Sequence, residues 1–279
     1  MKPVERLYEI FFPGKCVACG EMLPRGERLL CRDCEEQYEK EQQEECPNCF
    51  APQTKCRCGI GNVAQRHLSG YASPVTRALI LAGKDRRNLP LSEFFADHFV
   101  KLLRSDPMLS FDRELTCLAY IPRNPKTVKK SGCDQAKLFA EALARKLDLP
   151  IVHALSHRTD VRLGDQKSMT PAERRKAAKK RYAYRKECEK EGTELFGKSV
   201  FLLDDVITTG ASVSACAAIL LKHGAAQVIA IAPAKTNFEQ ITLRYADGEN
   251  QSEVMPQFNA EFFANTPAQD DAQFVRTEQ

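Results

Sequence analysis

No apolar run in the 279-residue chain reaches the roughly 18 residues that a membrane-spanning helix needs, which argues against an integral membrane protein. The N-terminus, MKPVERLYEIFFPGK, carries acids and lacks both a long apolar stretch and a small-residue cleavage site, so it does not read as a secretory signal. A cytoplasmic location is expected, with any association at the inner face of a membrane made through partners. No GxxxxGK[ST] loop is present, which excludes a Walker-type nucleotide site. Hydrophobic residues at 43% and charged residues at 28% fit an ordinary globular chain.

Cysteine is the exception to this plainness. There are 12, and eight of them fall between Cys16 and Cys58. Disulfides would need an oxidising compartment, so metal is the better reading. Cys16-x-x-Cys19 with Cys31-x-x-Cys34 forms one pair of knuckles, and Cys46-x-x-Cys49 with Cys56-x-Cys58 forms another. Each CxxC turn presents two thiolates to one side of an ion, and two turns complete a tetrahedral four-cysteine zinc site. Sequential pairing, first four then second four, is the simplest arrangement, and interleaved pairing is left open. The expected zinc, one ion or two, is structural. Cys117, Cys133, Cys188 and Cys216 read as core or surface thiols.

Charge is segregated. Residues 1–70 carry net −1, residues 71–235 net +11 and residues 236–279 net −6. A basic middle section suits phosphate-rich ligands, nucleic acid among them. Within it, Lys167 to Lys186 holds nine basic residues and one acid, with Tyr182 and Tyr184 interleaved. That pattern fits base stacking on a single strand, and it equally fits a loop over a phosphate site.

The middle section alternates helical and strand patterns. Helices are expected at 74–83, 91–104, 134–147 and 212–223, and from the capping box Thr170-Pro171-Ala172-Glu173. In the helix at 212–223, Val213, Cys216, Ala217, Leu220 and Leu221 are expected to face inward. His98 lies on the apolar stripe of its helix and reads as a packed core residue. Apolar strands are expected at 117–121, 200–204 and 228–232. Strands separated by helices imply a parallel sheet with helices on its faces. The expected units are a Cys-rich module over 1–66, an α/β domain over 67–236 and an acidic, disordered tail over 237–279.

One segment carries chemistry. Val200-Phe201-Leu202-Leu203 is a buried-strand run, and Asp204 and Asp205 stand at its carboxyl end, where open α/β sheets place their ligands. Thr208-Thr209-Gly210-Ala211-Ser212 then leads directly into a helix. Carboxylates accept hydrogen bonds from vicinal sugar hydroxyls or hold Mg²⁺. Hydroxyls and free N–H groups at a helix N-terminus wrap a phosphate dianion. The segment therefore reads as a site for a 5-phosphorylated ribose.

This segment resembles the phosphoribosyl diphosphate-binding motif of type I phosphoribosyltransferases. The resemblance implies ribose contacts at Asp204 and Asp205, which would be the catalytic residues. It also implies phosphoribosyl diphosphate, with Mg²⁺, at Asp204, Asp205, Val206, Thr208, Thr209, Gly210, Ala211 and Ser212, together with Lys84. The whole chain from about residue 10 to 236 resembles the ComF family of competence proteins. Tyr71-x-x-Pro74, Leu79-Ile80, Lys84, Pro122, Arg158, Gln166, Arg174 and Ala234-Lys235-Thr236 carry that likeness. Ser131-Gly132-Cys133-Asp134-Gln135 stands where the family has RGFNQ, and Ala177 stands where it often has asparagine. The fold expected from the family is a type I phosphoribosyltransferase-like α/β sheet with a double zinc ribbon. The function it implies is uptake or handling of single-stranded DNA during natural transformation. Lys129, Lys130, Arg174, Arg175, Lys179, Lys180 and Arg181 are the candidate DNA contacts. Two other readings stand beside this one: an active transferase exchanging pyrophosphate for a nitrogen nucleophile, and an adaptor docking its zinc ribbons on a helicase or channel.

Overall fold

A computed structural model describes residues 14–24, 29–46, 49–56, 58–60, 63–84, 89–106, 109–159, 177–185, 188 and 195–236. The expected tail and the capping box at Thr170 lie outside the described residues. In chain order the elements are α1 Arg32–Gln43, β1 Ala64–Gly70, α2 Pro74–Lys84, α3 Leu89–Ser105, β2 Thr116–Tyr120, α4 Pro125–Ser131, α5 Gln135–Leu147, β3 Leu155–His157, β4 Tyr182–Tyr184, β5 Ser199–Leu203, β6 Val206–Ile207, α6 Ala211–Lys222 and β7 Gln227–Lys235. Among the described residues, no helix is long and apolar enough to cross a membrane.

Strands β2, β5 and β7 are near-continuous apolar runs, and such runs are stable only where both sheet faces are covered. They pair in parallel in the order β1-β7-β5-β2, with β6 extending the sheet beside β7. Leu118, Phe201, Leu203, Ile229 and Ile231 pack to one side with Leu79, Phe95, Phe99, Phe139 and Leu143 from α2, α3 and α5. Cys117, Ala119, Val200, Leu202, Val228 and Ala230 pack to the other with Val213, Cys216, Ala217 and Leu220 of α6. Leu221, expected to face inward, is instead 42% exposed. It lies about 80° round the helix from Val213, past the edge of the stripe that Leu220 completes. Strands β3 and β4 form a separate antiparallel pair.

Edge strand β1 reads AQRHLSG, and all seven of its residues are buried. The Cys-rich segment covers it. The Gln65 side chain donates to the Cys58 carbonyl, and the His67 ring pairs with Gln53 Oε1 at 2.7 Å. Burial, then Lys235 and Arg66, hold the His67 pKa down to about 3, so the ring is neutral. Arg66 donates from Nε to Asp106 at 3.2 Å. The expected boundary between residues 66 and 67 thus falls inside a strand.

Helix α1 fastens the same segment to the sheet domain. Tyr38 is fully buried, its ring 5.1 Å from both Phe94 and His98. His98 donates from Nδ1 to the Phe94 carbonyl at 2.9 Å and is the core histidine expected. Glu41, also fully buried, accepts from Val75 N at 2.8 Å, Thr76 N at 2.9 Å and Thr76 Oγ1 at 2.8 Å. A carboxylate at the N-terminus of α2 satisfies amides that have no partner within their own helix and faces the positive end of its dipole. Glu41→Ala leaves those buried donors unpaired and is expected to lower unfolding free energy by about 2–3 kcal/mol, read from urea denaturation midpoints. An unchanged midpoint would show that α1 is not fastened through this contact.

Candidate functional site

The loops that follow β1, β2, β5 and β7 meet at the carboxyl edge of the sheet, where they enclose a cavity of about 640 Å³. Tyr71 comes from the first, Ile121 to Asn124 from the second, Asp204 to Ser212 from the third and Thr236 from the fourth. His157, Arg181 and Tyr182 of the β3–β4 region form a further wall. The two acids and the threonine-rich turn therefore share one crevice, as expected from their order in the sequence. Backbone geometry holds them there. Asp204 N donates to the Ile231 carbonyl at 3.0 Å, Asp205 N to Asp204 Oδ1 at 2.9 Å and Val206 N to Asp205 Oδ1 at 2.8 Å. Gly210 takes the left-handed conformation at φ 72° and lets the chain enter α6 at once. The amides at the start of this 12-residue helix, where Ala211 N donates to Thr209 Oγ1 at 3.4 Å, border the cavity beside the Thr208, Thr209 and Ser212 hydroxyls.

A third acid joins the pair. Asp134 caps α5, accepts from Arg123 N at 2.9 Å and lines the same cavity. Burial, and then the neighbouring Asp205 charge, push the Asp204 carboxyl well above its ordinary value of 3.8. Burial and Asp205 also raise Asp134. Crowded carboxylates of this kind are relieved by groups that donate hydrogen bonds, or by a divalent cation. On the facing walls, Arg123 Nη1 and His157 Nδ1 are buried with no hydrogen-bond partner among the described residues. The cavity is thus lined by three acids, by an amide and hydroxyl cradle, and by Arg123 and Arg181.

Both cysteine clusters are assembled, and the pairing is sequential: Cys16, Cys19, Cys31 and Cys34 in one, Cys46, Cys49, Cys56 and Cys58 in the other. Within each, all four sulfurs lie within 4.8 Å of one another. A tetrahedron of 2.3 Å Zn–S bonds has edges of about 3.8 Å. The Cys19–Cys31 and Cys49–Cys56 sulfurs are 3.7 Å apart, Cys46–Cys58 4.0 Å and Cys46–Cys56 3.4 Å, which fits zinc and is far from disulfide length. The knuckles repeat each other. Gly20 N donates to the Cys16 carbonyl and Phe50 N to the Cys46 carbonyl, with Gly20 and Phe50 both at positive φ. At Cys16, burial opposes the thiolate, but the amides of Cys19, Cys31 and Ala18 outweigh it and bring the pKa to about 6. The scattered Cys117, Cys133 and Cys216 are buried thiols, and Cys188 is half-buried.

The family model of the phosphoribosyl transferase domain matches residues 134–262. Competence protein ComFC of Streptococcus pneumoniae is 24% identical over 245 residues, covering 77% of this chain and 96% of the relative. The chain is thus similar to a competence protein of the ComF family and carries a match to the phosphoribosyl transferase domain over residues 134–262. Two solved structures are also similar. TT1426 from Thermus thermophilus has 14% identity, covers 57% of this chain and 80% of its own, and has a TM-score of 0.30. Adenine phosphoribosyltransferase from Leishmania donovani has 15% identity, covers 84% and 92%, and has a TM-score of 0.34. Those scores are too low to bear on the fold.

Of the positions expected in this ComF-like site, Asp204, Asp205, Val206 and Thr208 to Ser212 all line the cavity. Lys84 ends α2, but its side chain lies outside the described residues, as do Arg174 and Arg175. Lys129, Lys130, Lys179 and Lys180 are exposed, whereas Arg181 lines the cavity. Tyr182, expected to be available for base stacking, is only 8% exposed, and its hydroxyl donates to Ser212 Oγ at 3.1 Å. Tyr184 stacks on His223 with ring centroids 3.9 Å apart. Sequence patterns do not mark Arg123, Asn124, Asp134 and His157 as ligand residues, yet all four line the cavity. For Arg123 and Asn124 a signal exists: they directly follow an apolar strand, and ligands sit at strand carboxyl ends.

Asp204 yields a test with a definite sign. Its proton affinity is higher in the folded chain than in the unfolded one, so stability is greatest below 3.8 and falls as pH rises through the folded value. Asp204→Asn removes that loss. At neutral pH the ligand-free variant should melt about 2–4 °C higher than the parent, with the gain shrinking towards pH 4. Thermal scans across pH check this, and a lower melting temperature at pH 7 contradicts it.

Proposed function

We propose that this chain is a ComF-like protein that binds phosphoribosyl diphosphate or ribose 5-phosphate, the former with Mg²⁺, and serves in uptake or handling of single-stranded DNA during natural transformation. The observation that supports the ligand most strongly is the juxtaposition of three carboxylates and a hydroxyl-rich helix N-terminus in one 640 Å³ cavity. The ribose diol donates to Asp204 and Asp205, and the 5-phosphate accepts from the Thr208–Ser212 turn. Asp204 and Asp205, with Asp134 nearby, would hold Mg²⁺ and neutralise the diphosphate beside the three acids. Arg123 and Arg181 offer further charge to the phosphates.

Support for the biological setting comes from the name of the pneumococcal relative, a competence protein, and from the surface around the cavity. Lys129 and Lys130 end the helix whose Thr127 lines the cavity, and Lys179 and Lys180 lie beside Ala178 and Arg181, which also line it. A strand bound there would run past the mouth of the sugar-phosphate site. A transfer reaction is the second reading. It is favoured by His157, a titratable ring that lines the same cavity with Nδ1 buried and unpartnered among the described residues. Docking through a detached zinc module is disfavoured, because Tyr38, Glu41 and Gln53 bury that module against the sheet domain.

Calorimetric titration tests the ligand. Ribose 5-phosphate should release or absorb heat with one site per chain, Mg²⁺ should strengthen phosphoribosyl diphosphate binding, and Asp205→Ala should weaken it by about tenfold or more. No heat with either ligand overturns the reading. For DNA, affinity for an oligonucleotide should fall steeply with salt. Lys179→Ala with Lys180→Ala should reduce the slope of log K against log salt by roughly 1.4, about 0.7 for each phosphate no longer neutralised. An unchanged slope removes these lysines from the interface.

A further inference from the structure

The second cysteine cluster reaches the phosphate turn through one side chain. Ile60 lies two residues beyond Cys58 and is buried with Val63, Ile207 and Ala211. It is pinned by a reciprocal pair of backbone bonds, Ile60 N to the Val63 carbonyl at 3.0 Å and Val63 N to the Ile60 carbonyl at 3.1 Å. Its side chain occupies the space beside Gly210 where any other residue would carry a Cβ. An ideal Cβ there would stand 2.3 Å from Ile60 Cγ2 and 2.8 Å from both Cγ1 and Cδ1. Gly210 is the left-handed residue that joins the hydroxyl cradle to α6, so the pressure of Ile60 falls on the joint of the turn.

The start of the turn is held by the sheet. Lys235, 2% exposed, lies at the end of β7. In register, Lys235 pairs with Ile207 through β6, and Thr236 N donates to the Ile207 carbonyl at 2.9 Å. The turn from Val206 to Ala211 is therefore held at one end by β7 and at the other by Ile60, and the Ile60 contact leads to the second four-cysteine cluster.

We propose that Ile60 is a positioning residue for the phosphate turn, and that a metal ion in the second four-cysteine cluster sets the affinity of the sugar-phosphate site by holding Ile60 against Gly210. The affinity part rests on the proposed ligand; the positioning part does not. The physical cause is the freedom of a glycine joint. The turn's left-handed joint and helix-start amides are useful to a phosphate only if already in place, and Ile60 removes the freedom that binding would otherwise have to remove. The four thiolates fix the short segment from Cys56 to Cys58 only when an ion draws them together.

Hydrogen–deuterium exchange on the full-length, zinc-loaded chain tests this without any ligand. Ile60→Ala, and Cys58→Ser with its zinc content halved, should both speed exchange of amides 206–214 by about tenfold. Exchange in α5 should stay at parental rates, and Ile60→Val should restore the slow exchange. Calorimetry on the same proteins should show ribose 5-phosphate bound about tenfold more weakly by Ile60→Ala than by the parent or Ile60→Val. Unchanged exchange at 206–214 in Ile60→Ala overturns the proposal, as does acceleration spread equally over α5, which would mark a general loss of stability. If exchange responds as expected and the parent binds no ribose 5-phosphate, the positioning role stands and the proposed ligand falls. If exchange responds and the parent and Ile60→Ala bind the sugar phosphate equally, the link to affinity is overturned.

Discussion

Two adjacent carboxylates at the end of a strand buried on both faces are electrostatically costly, and the architecture of this chain is arranged around that cost. Strand β5 ends at Leu203 in the centre of the sheet and delivers Asp204 and Asp205 straight into a crevice. Asp134 enters the same crevice from the start of α5. The Asp205 and Arg123 amides relieve part of that cost. On the reading proposed above, a ligand relieves the rest from the cavity side: a sugar diol donates, a divalent ion brings positive charge, and the helix start beyond Gly210 keeps a phosphate close to so many acids. Stability is given up at Asp204 for the sake of the site, as is common where function needs a strained or charged arrangement.

The Cys-rich segment is part of this arrangement. It covers the polar edge strand β1, caps α2 with the buried Glu41, encloses Tyr38 within the sheet domain's aromatic cluster and presses Ile60 on the phosphate turn. The sulfur spacings in both clusters match the edges of a zinc–thiolate tetrahedron. A four-cysteine module of this size has little apolar core of its own, so its rigidity rests on the domain on which it sits and on the ions its sulfur clusters are spaced to hold.

Sequence patterns reveal the elements that bury two faces and miss those that bury polar groups. Strands β2, β5 and β7 are visible as apolar runs, and α3 and α5 as amphipathic stripes, because their burial is written in the residue types. Strand β1 is invisible to that logic. Gln65, Arg66, His67 and Ser69 look like surface residues and are buried because the Cys-rich segment lies over Gln65 and His67, Arg66 pairs with Asp106 beyond α3 and Ser69 meets Thr76 of α2. Helix α1, RDCEEQYEKEQQ, hides for a related reason: its inward contacts are a tyrosine and a glutamate whose partners lie in α2 and α3. The site shows the same division. Asp204 to Ser212 are contiguous, so their chemistry is legible along the chain. Arg123, Asp134 and His157 are brought in by topology, and Tyr182 is taken out of service by its hydrogen bond to Ser212.

In the proposed site a diol and a phosphate dianion lie side by side where β5 gives way to α6. Crystals of the full chain soaked with ribose 5-phosphate and Mg²⁺ test it most directly. The account requires electron density for the phosphate at the amides and hydroxyls of Thr208 to Ser212, with the ribose hydroxyls against Asp204 and Asp205. Density for the sugar phosphate elsewhere, or a crevice that stays empty at saturating ligand, contradicts it.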